Sequence, residues 1–422
     1  MDFKSFKLHP KIAAGVEAAG FTLPTPIQAQ SIPKIMQNHD VMGLAQTGTG
    51  KTAAFGLPIL HKMMQGPRGC VRTLIVAPTR ELAEQINESL KQLGQQSGLR
   101  SATIYGGVGI NPQITALKRG AEIVVACPGR LLDHIRQKTI DLRQVDTLIL
   151  DEADRMFDMG FLPDIRRIVK SLPVKRQTLL FSATMPKEIR ALAQEVLTNP
   201  ETVQVDLVAP AVTVSHALYP VPQHLKIDLL LKLLEKITTG SVLVFTKTKH
   251  RAKRIGEKLD KSGYSAASLQ GNLSQSRRQA ALDGFRDGSY QILVATDIAA
   301  RGIDVSRVSH VINLDVPDTA DSYIHRIGRT GRAARSGDAF TMVTKDDGLM
   351  VRTIERALGT QLEQRRIEGF NYDVPAPKRS EQPARRPMRS GPRNSSPANK
   401  AKSSAGNRNQ SRGRRRAAQR QA

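Results

Sequence analysis

The chain has 422 residues, with 63 Lys and Arg against 38 Asp and Glu, a net charge of +25 and 40% hydrophobic residues. At roughly 150 residues per domain, that length predicts two or three domains, each able to bury its own core, and no apolar run approaches the ~20 residues needed to cross a bilayer. Only Cys70 and Cys127 are present, with no CxxC pair or Cys/His cluster, which leaves no support for a disulfide framework or a zinc site. Both are expected to be buried free thiols.

The charge is unevenly placed. From Pro375 to the end there are 14 Lys and Arg and one acid, Glu381, so this stretch holds +13 and the rest 25 − 13 = +12. A chain this basic needs polyanionic partners, nucleic acid first among them. Membrane phospholipid is the weaker alternative, because the stretch has no amphipathic apolar face to insert. The N-terminal MDFKSFKLHPK carries charges where an export signal needs an apolar run, so a cytoplasmic protein is expected.

From Met1 to about Val205, short β-rich runs alternate with helical patterns: VRTLIVAP then RELAEQINESLKQLG, AEIVVACP then GRLLDHIRQ, VDTLILDEAD then a helical stretch. This predicts a parallel sheet covered by helices, with strands apolar on both faces. Periodicity weakens between Asp206 and His224, around Pro210, Pro220 and Pro222, which reads as a linker or entry strand. A second α/β unit follows with GSVLVFTKT, YQILVATD, VSHVINLD and DAFTMVTKDD. From about Phe370 the composition turns to Pro, Ser, Gly, Asn, Gln and Arg, too polar to offset the entropy of ordering. The expected boundaries are a first domain over 1–207, a linker over 208–216, a second domain over 217–362 and a disordered basic tail over 363–422.

AQTGTGKT, from Ala45 through Gln46, Thr47, Gly48, Thr49, Gly50 and Lys51 to Thr52, follows a predicted strand and opens a helical pattern. That is the setting of a phosphate-binding loop: backbone N–H groups cradle phosphate, Lys51 reaches the β- and γ-phosphates, and the Thr52 hydroxyl ligates Mg2+. Ala45 stands where the strict pattern has its first glycine. Leu148 to Asp154 reads LILDEAD, an apolar strand ending in carboxylates. Asp151 would hold Mg2+ through water, and Glu152 would orient and deprotonate an attacking water.

Asp151-Glu152-Ala153-Asp154 is the tetrapeptide that names the DEAD-box helicases, and from about Phe6 to Thr344 the chain resembles that family motif by motif. The resemblance implies two tandem RecA-like domains and an ATP-dependent RNA helicase that unwinds short duplexes or remodels ribonucleoproteins. GFTLPTPIQ matches the adenine-sensing motif, implying that Phe21 stacks on the base and Gln28 pairs with it. On its own, Gln28 reads more simply as a neighbour of a helix cap. Pro78, Thr79 and Arg80, the Gly106-Gly107 pair, and Gly129 with Arg130 match the positions that grip RNA backbone, although Cys127 replaces a usual threonine or alanine. Ser182, Ala183 and Thr184 match the motif linking hydrolysis to domain closure; a polar turn after TLLF fits them equally well.

In the second half, VFTKTK, QGNLSQSRR, ATDIAARGID and HRIGRTGR continue the resemblance. It implies RNA contacts from Gln275, Arg278 and Thr296, a ribose contact from Asp304, and Arg329 and Arg332 as arginine fingers. It also implies that His325 and Arg326 couple these to Asp154. The short core with a basic extension resembles the bacterial RhlE type. A non-enzymatic RNA clamp or chaperone and a DNA translocase are the rival readings. The family's range also covers ribosomal and RNA-decay partners, and a monomer is favoured.

Overall fold

The computed structural model describes residues 2–45, 48–205, 214–237, 240–300, 308–331 and 337–376. Two seven-stranded sheets follow one another along the chain. The first contains β1 (Val41–Leu44), β2 (Thr73–Val76), β3 (Ser101–Ile104), β4 (Ile123–Ala126), β5 (Thr147–Leu150), β6 (Gln177–Ser182) and β7 (Glu201–Gln204), in the order β3-β4-β2-β5-β6-β1-β7. The second contains β8 (Val214–Pro220), β9 (Ser241–Phe245), β10 (Ala266–Leu269), β11 (Ile292–Ala295), β12 (Val308–Asn313), β13 (Gly337–Val343) and β14 (Glu363–Gln364), in the order β10-β11-β9-β12-β13-β8-β14. All the strand pairings among the described residues are parallel.

Parallel strands need long crossovers, and these lay helices on both faces of each sheet. The central strands TLIV, IVVA and TLIL are therefore buried at every position. Neighbouring residues feed different cores: Leu74 packs with Leu148 and Met156 on one face, and Ile75 with Phe55 and Phe181 on the other, as the two-residue period of a strand requires. The second domain repeats this, with Val242 and Val244 in one cluster and Leu243 and Phe245 in another.

Because every strand runs the same way, every loop that follows a strand emerges at one edge of its sheet. In the first domain this sorts the motifs. The loops after β1, β5 and β6 lie together on one half of the edge, and those after β2, β3 and β4 on the other.

The two-domain α/β reading holds, but two expected boundaries shift. β8 opens at Val214, inside the stretch assigned to a linker. At the other end, β14 pairs with β8 beyond residue 362, Ile367 is buried, and Phe370 and Tyr372 pack on the same core. The Tyr372 hydroxyl accepts from Ile367 N at 2.9 Å, and His224 Nε2 donates to the Val374 carbonyl at 2.7 Å. Polar composition hid this strap, whose apolar residues are few and widely spaced. Cys70 and Cys127 are half-buried rather than buried. Among the described residues no helix is long and apolar enough to cross a membrane.

Candidate nucleotide and RNA site

The helix Lys51–Met63 begins directly after β1 and its loop, with Gly50 as cap at φ 92, a conformation costly for any side chain. Lys51 is buried and donates to the Ala45 carbonyl at 2.9 Å. Gln46 and Thr47 lie outside the described residues. Gln28 meets the loop from the helix Pro26–Met36. Its Oε1 accepts from Thr25 N at 3.0 Å and its Nε2 donates to the Gly50 carbonyl at 3.1 Å. The cap reading and proximity to the loop are thus both true of one side chain. A cavity of about 510 Å³ is lined by Phe21, Gln28, Lys51, Thr52, Asp151 and Glu152. Phe21 remains 39% exposed and presents its ring there.

β5 ends in three carboxylates that are all nearly inaccessible: Asp151 2%, Glu152 2% and Asp154 4% exposed. Burial pushes the Asp151 carboxyl up to about 6, against the pull of nearby Lys51. Glu152 adopts φ 53, a left-handed conformation that a non-glycine residue occupies only when its surroundings impose it. Its Oε2 takes a 2.7 Å bond from Arg155 Nη1, while its Oε1 is buried with no hydrogen-bond partner among the described residues. Sequence reasoning missed Arg155; its place three residues after Glu152, on the same side of a helical turn, was the available signal.

Asp154 faces the loop after β6. Its Oδ2 accepts from Ala183 N at 3.1 Å, Thr184 N at 2.9 Å and Thr184 Oγ1 at 3.1 Å, and Ser182 Oγ accepts from Asp154 N at 3.2 Å. Burial alone would raise the Asp154 carboxyl, but Lys51, His325 and these donors hold it below the usual range. His325 arrives from the second domain. Burial, reinforced by Arg155 and opposed by Asp154, pushes its imidazole down to about 4.

Arg326, beside His325, makes its side-chain bonds within its own domain. It grips Asp297 with bonds of 2.6 and 2.7 Å, donates to Asn313 Oδ1 and the Asp315 carbonyl, and lies over the Phe245 ring. Arg329 is buried and donates through Nε to the His325 carbonyl at 3.3 Å; with Arg155 and His325 it lines a small cavity. Arg332 and Asp304 lie outside the described residues.

On the other half of the edge, Thr79 caps the helix Arg80–Leu93 by accepting from Leu82 N. Arg80 lies over Gly107, whose φ of 78 favours glycine and where a Cβ would come within 2.2 Å of the guanidinium. Arg130 donates both Nη atoms to the Val108 carbonyl, and Gly106 and Gly129 leave open space beside these groups. Cys127 precedes the helix Pro128–Arg136 without making a side-chain cap bond. Burial pushes its thiol up to about 12, so it is not a thiolate nucleophile. Two second-domain residues close onto this group. Gln275 Oε1 accepts from Arg80 Nη1 at 3.2 Å, and Arg278 pairs with buried Glu81 at 2.7 Å. Thr296 is buried at the end of β11.

Removing one partner of a buried ion pair leaves an uncompensated charge, typically at a cost of about 3–5 kcal/mol. Arg155→Met is therefore expected to lower unfolding stability by about that much, with a smaller loss for Arg155→Lys; chemical denaturation checks it, and a loss below about 1 kcal/mol would refute the pair's importance. His325 supplies a pH dependence. Its folded value of about 4 lies below 6.5, so nothing is lost above pH 6.5. As pH falls toward about 4 the unfolded chain takes a proton that the folded chain refuses, and stability drops, by about 2 kcal/mol between pH 7 and 5. His325→Gln should lose less over that interval; identical pH slopes in urea unfolding would refute this.

Family comparisons agree with this geometry. Residues 25–192 match the DEAD/DEAH box helicase family and residues 225–334 the helicase conserved C-terminal domain. The DEAD-box ATP-dependent RNA helicase CshA of Bacillus licheniformis is 45% identical over 86% of this chain and 74% of its own length; that of Bacillus subtilis is 44% identical over 86% and 73%. Among solved structures, Saccharomyces cerevisiae Dbp5 bound to RNA and ADP BeF3 matches with a TM-score of 0.77 and 31% identity, covering 86% of this chain and 95% of that one. Mss116p bound to ssRNA and AMP-PNP gives 0.78 and 28%, covering 86% and 79%. Two parallel-sheet domains, a phosphate loop facing buried carboxylates and this degree of likeness lead to one conclusion: the chain belongs to the DEAD-box ATP-dependent RNA helicases.

Proposed function

We propose that ATP binds in the cavity beside the phosphate loop and that hydrolysis there is gated by RNA held across both domains. The observation that carries this reading is the set of contacts between domains, Arg80 with Gln275, Glu81 with Arg278, and His325 beside Asp154. They bring together groups that are incomplete apart. The likeness to Dbp5 bound to RNA and ADP BeF3 supports the same arrangement.

In this reading Phe21 stacks on adenine and Gln28 pairs with its edge, while Lys51 binds the β- and γ-phosphates and Asp304 the ribose. Glu152 orients and deprotonates the attacking water, its open Oε1 being the free acceptor. Arg329 and Arg332 stabilise charge on the transferring phosphoryl group; such fingers are worth ~10³–10⁵ in rate in related NTPases. Asp151 and Thr52 fit a Mg2+ ion, since a carboxyl raised by burial is relieved by a cation. When bound, that ion neutralises phosphate charge.

RNA backbone contacts fall to Pro78, Thr79, Arg80, Gly106, Gly107, Gly129, Arg130, Gln275, Arg278 and Thr296. ATP and RNA each favour the closed cleft, so each strengthens the other. A strand bent across two domains cannot stay paired, and loss of the γ-phosphate reopens the cleft through Asp154, Ser182, Ala183, Thr184 and His325. The basic stretch after Pro375 adds a salt-sensitive, sequence-tolerant attraction. A cytoplasmic monomer acting with ribosomal or RNA-decay proteins suits such a motor. The RhlE-type placement rests on the short core and basic extension; the relatives named above are CshA proteins.

Steady-state ATPase activity with no nucleic acid, single-stranded RNA, or DNA of the same sequence tests this. Stimulation by RNA alone, abolished in Lys51→Ala, is expected; equal stimulation by DNA would favour a translocase, and none by either a non-enzymatic clamp. Glu152→Gln should still bind ATP and RNA but release RNA slowly, and normal turnover in that variant would remove Glu152 from its role.

A further inference from the structure

A second cavity, of about 550 Å³, lies wholly on the second domain at the carboxyl ends of β9, β12 and β13. None of the residues assigned to ATP or RNA above lines it. Its floor is Lys226, 2% exposed, which donates to the carbonyls of Leu314 at 2.9 Å and Met342 at 3.1 Å. Lys247, Arg251 and Arg254 add three more cations, against the carboxylates of Asp315 and Asp347.

Both carboxylates are already engaged. Asp315 lies 3.2 Å from Arg251 Nε and 3.9 Å from Lys226 Nζ, and accepts from Lys247 N at 3.0 Å. Asp347 accepts from Thr344 N and Oγ1, both at 2.7 Å. Lys247 pairs at 2.6 Å only with Asp318, on an exposed rim, where such a pair is weak and exchangeable. The side chains of Arg254 and His250, both exposed, have no hydrogen bond or ion pair among the described residues. The excess is cationic, and its outermost members are free to take an anion.

The cavity is also tied to the loop that carries Gln275. Thr248, which lines it, caps the helix Lys249–Lys261. Lys249 Nζ donates to Asn272 Oδ1 at 3.0 Å, and Asn272 N donates to Gln270 Oε1 at 2.7 Å. That loop leads directly to Gln275 at the cleft. The lining has no Phe, Tyr or Trp, so it offers phosphate contacts and no stacking platform for bases.

We propose that this cavity is a second phosphate-binding subsite for RNA, seating backbone beyond the segment gripped in the cleft; the inference rests on the RNA reading above. The full chain and Arg254→Glu are compared on two oligouridylates: the shortest that fully stimulates the ATPase, and one extended at both ends. The longer strand is expected to bind the unaltered chain more tightly. Arg254→Glu should lose about tenfold on the longer strand, with a salt slope smaller by about one per lost phosphate contact. Affinity and ATPase stimulation with the short strand should be unchanged, which also shows that the variant folds. No gain from extension, equal losses on both strands, or no loss on either would overturn the subsite. Pyrophosphate binding that is lost in Arg254→Glu, with the long-strand gain retained, would assign the cavity to free polyphosphate and overturn the RNA assignment. Absence of RNA-stimulated ATPase in the unaltered chain would instead refute the functional reading itself.

Discussion

Three carboxylates within four residues, each at most 4% exposed, set the terms for the rest of the molecule. Buried like charges raise one another's energy unless cations or donors meet them. Asp154 is met by the loop after β6 and Glu152 by Arg155, while Asp151 has Lys51 nearby and a carboxyl still pushed up to about 6. The first domain compensates two of the three more fully than the third. The uncompensated remainder, Asp151 with the open Oε1 of Glu152, faces the cavity beside the phosphate loop.

Closure between the domains follows a related economy of charge. Glu81 is buried within the first domain and meets its cation, Arg278, only across the interface. His325 sits among Arg155, Arg329 and the acidic residues, where a third positive charge would be repelled by the two guanidiniums as well as desolvated. A neutral imidazole can occupy that position at neutral pH; a lysine or arginine there would add charge to a crowded cationic cluster.

Much of this was legible in the sequence because the determining signals are local. Strands buried on both faces must be apolar throughout, so TLIV, IVVA and TLIL announced a covered parallel sheet. The phosphate loop and the acidic tetrapeptide are contiguous, and parallel topology alone places their ends on one edge. What was hidden depends on partners distant in sequence. Nothing in HRIGRTGR tells that Arg326 turns back to Asp297 while its neighbour His325 faces Asp154. The strap from Glu363 to Val374 was concealed because its order comes from pairing with β8 and from Tyr372 and His224, in a stretch whose composition is polar.

Gln28 and Gly50 illustrate how tightly two segments distant in sequence can be joined. The Gln28 carboxamide donates to the Gly50 carbonyl, and a Cβ at Gly50 would fall 2.4 Å from Gln28 Nε2. Neither position can change without disturbing the other, so their substitutions should be strongly non-additive. The Gln28 carboxamide and the shape of the loop before Lys51 therefore form one mutational unit: a lineage that changed the side chain at 28 would have to rebuild that loop at the same time.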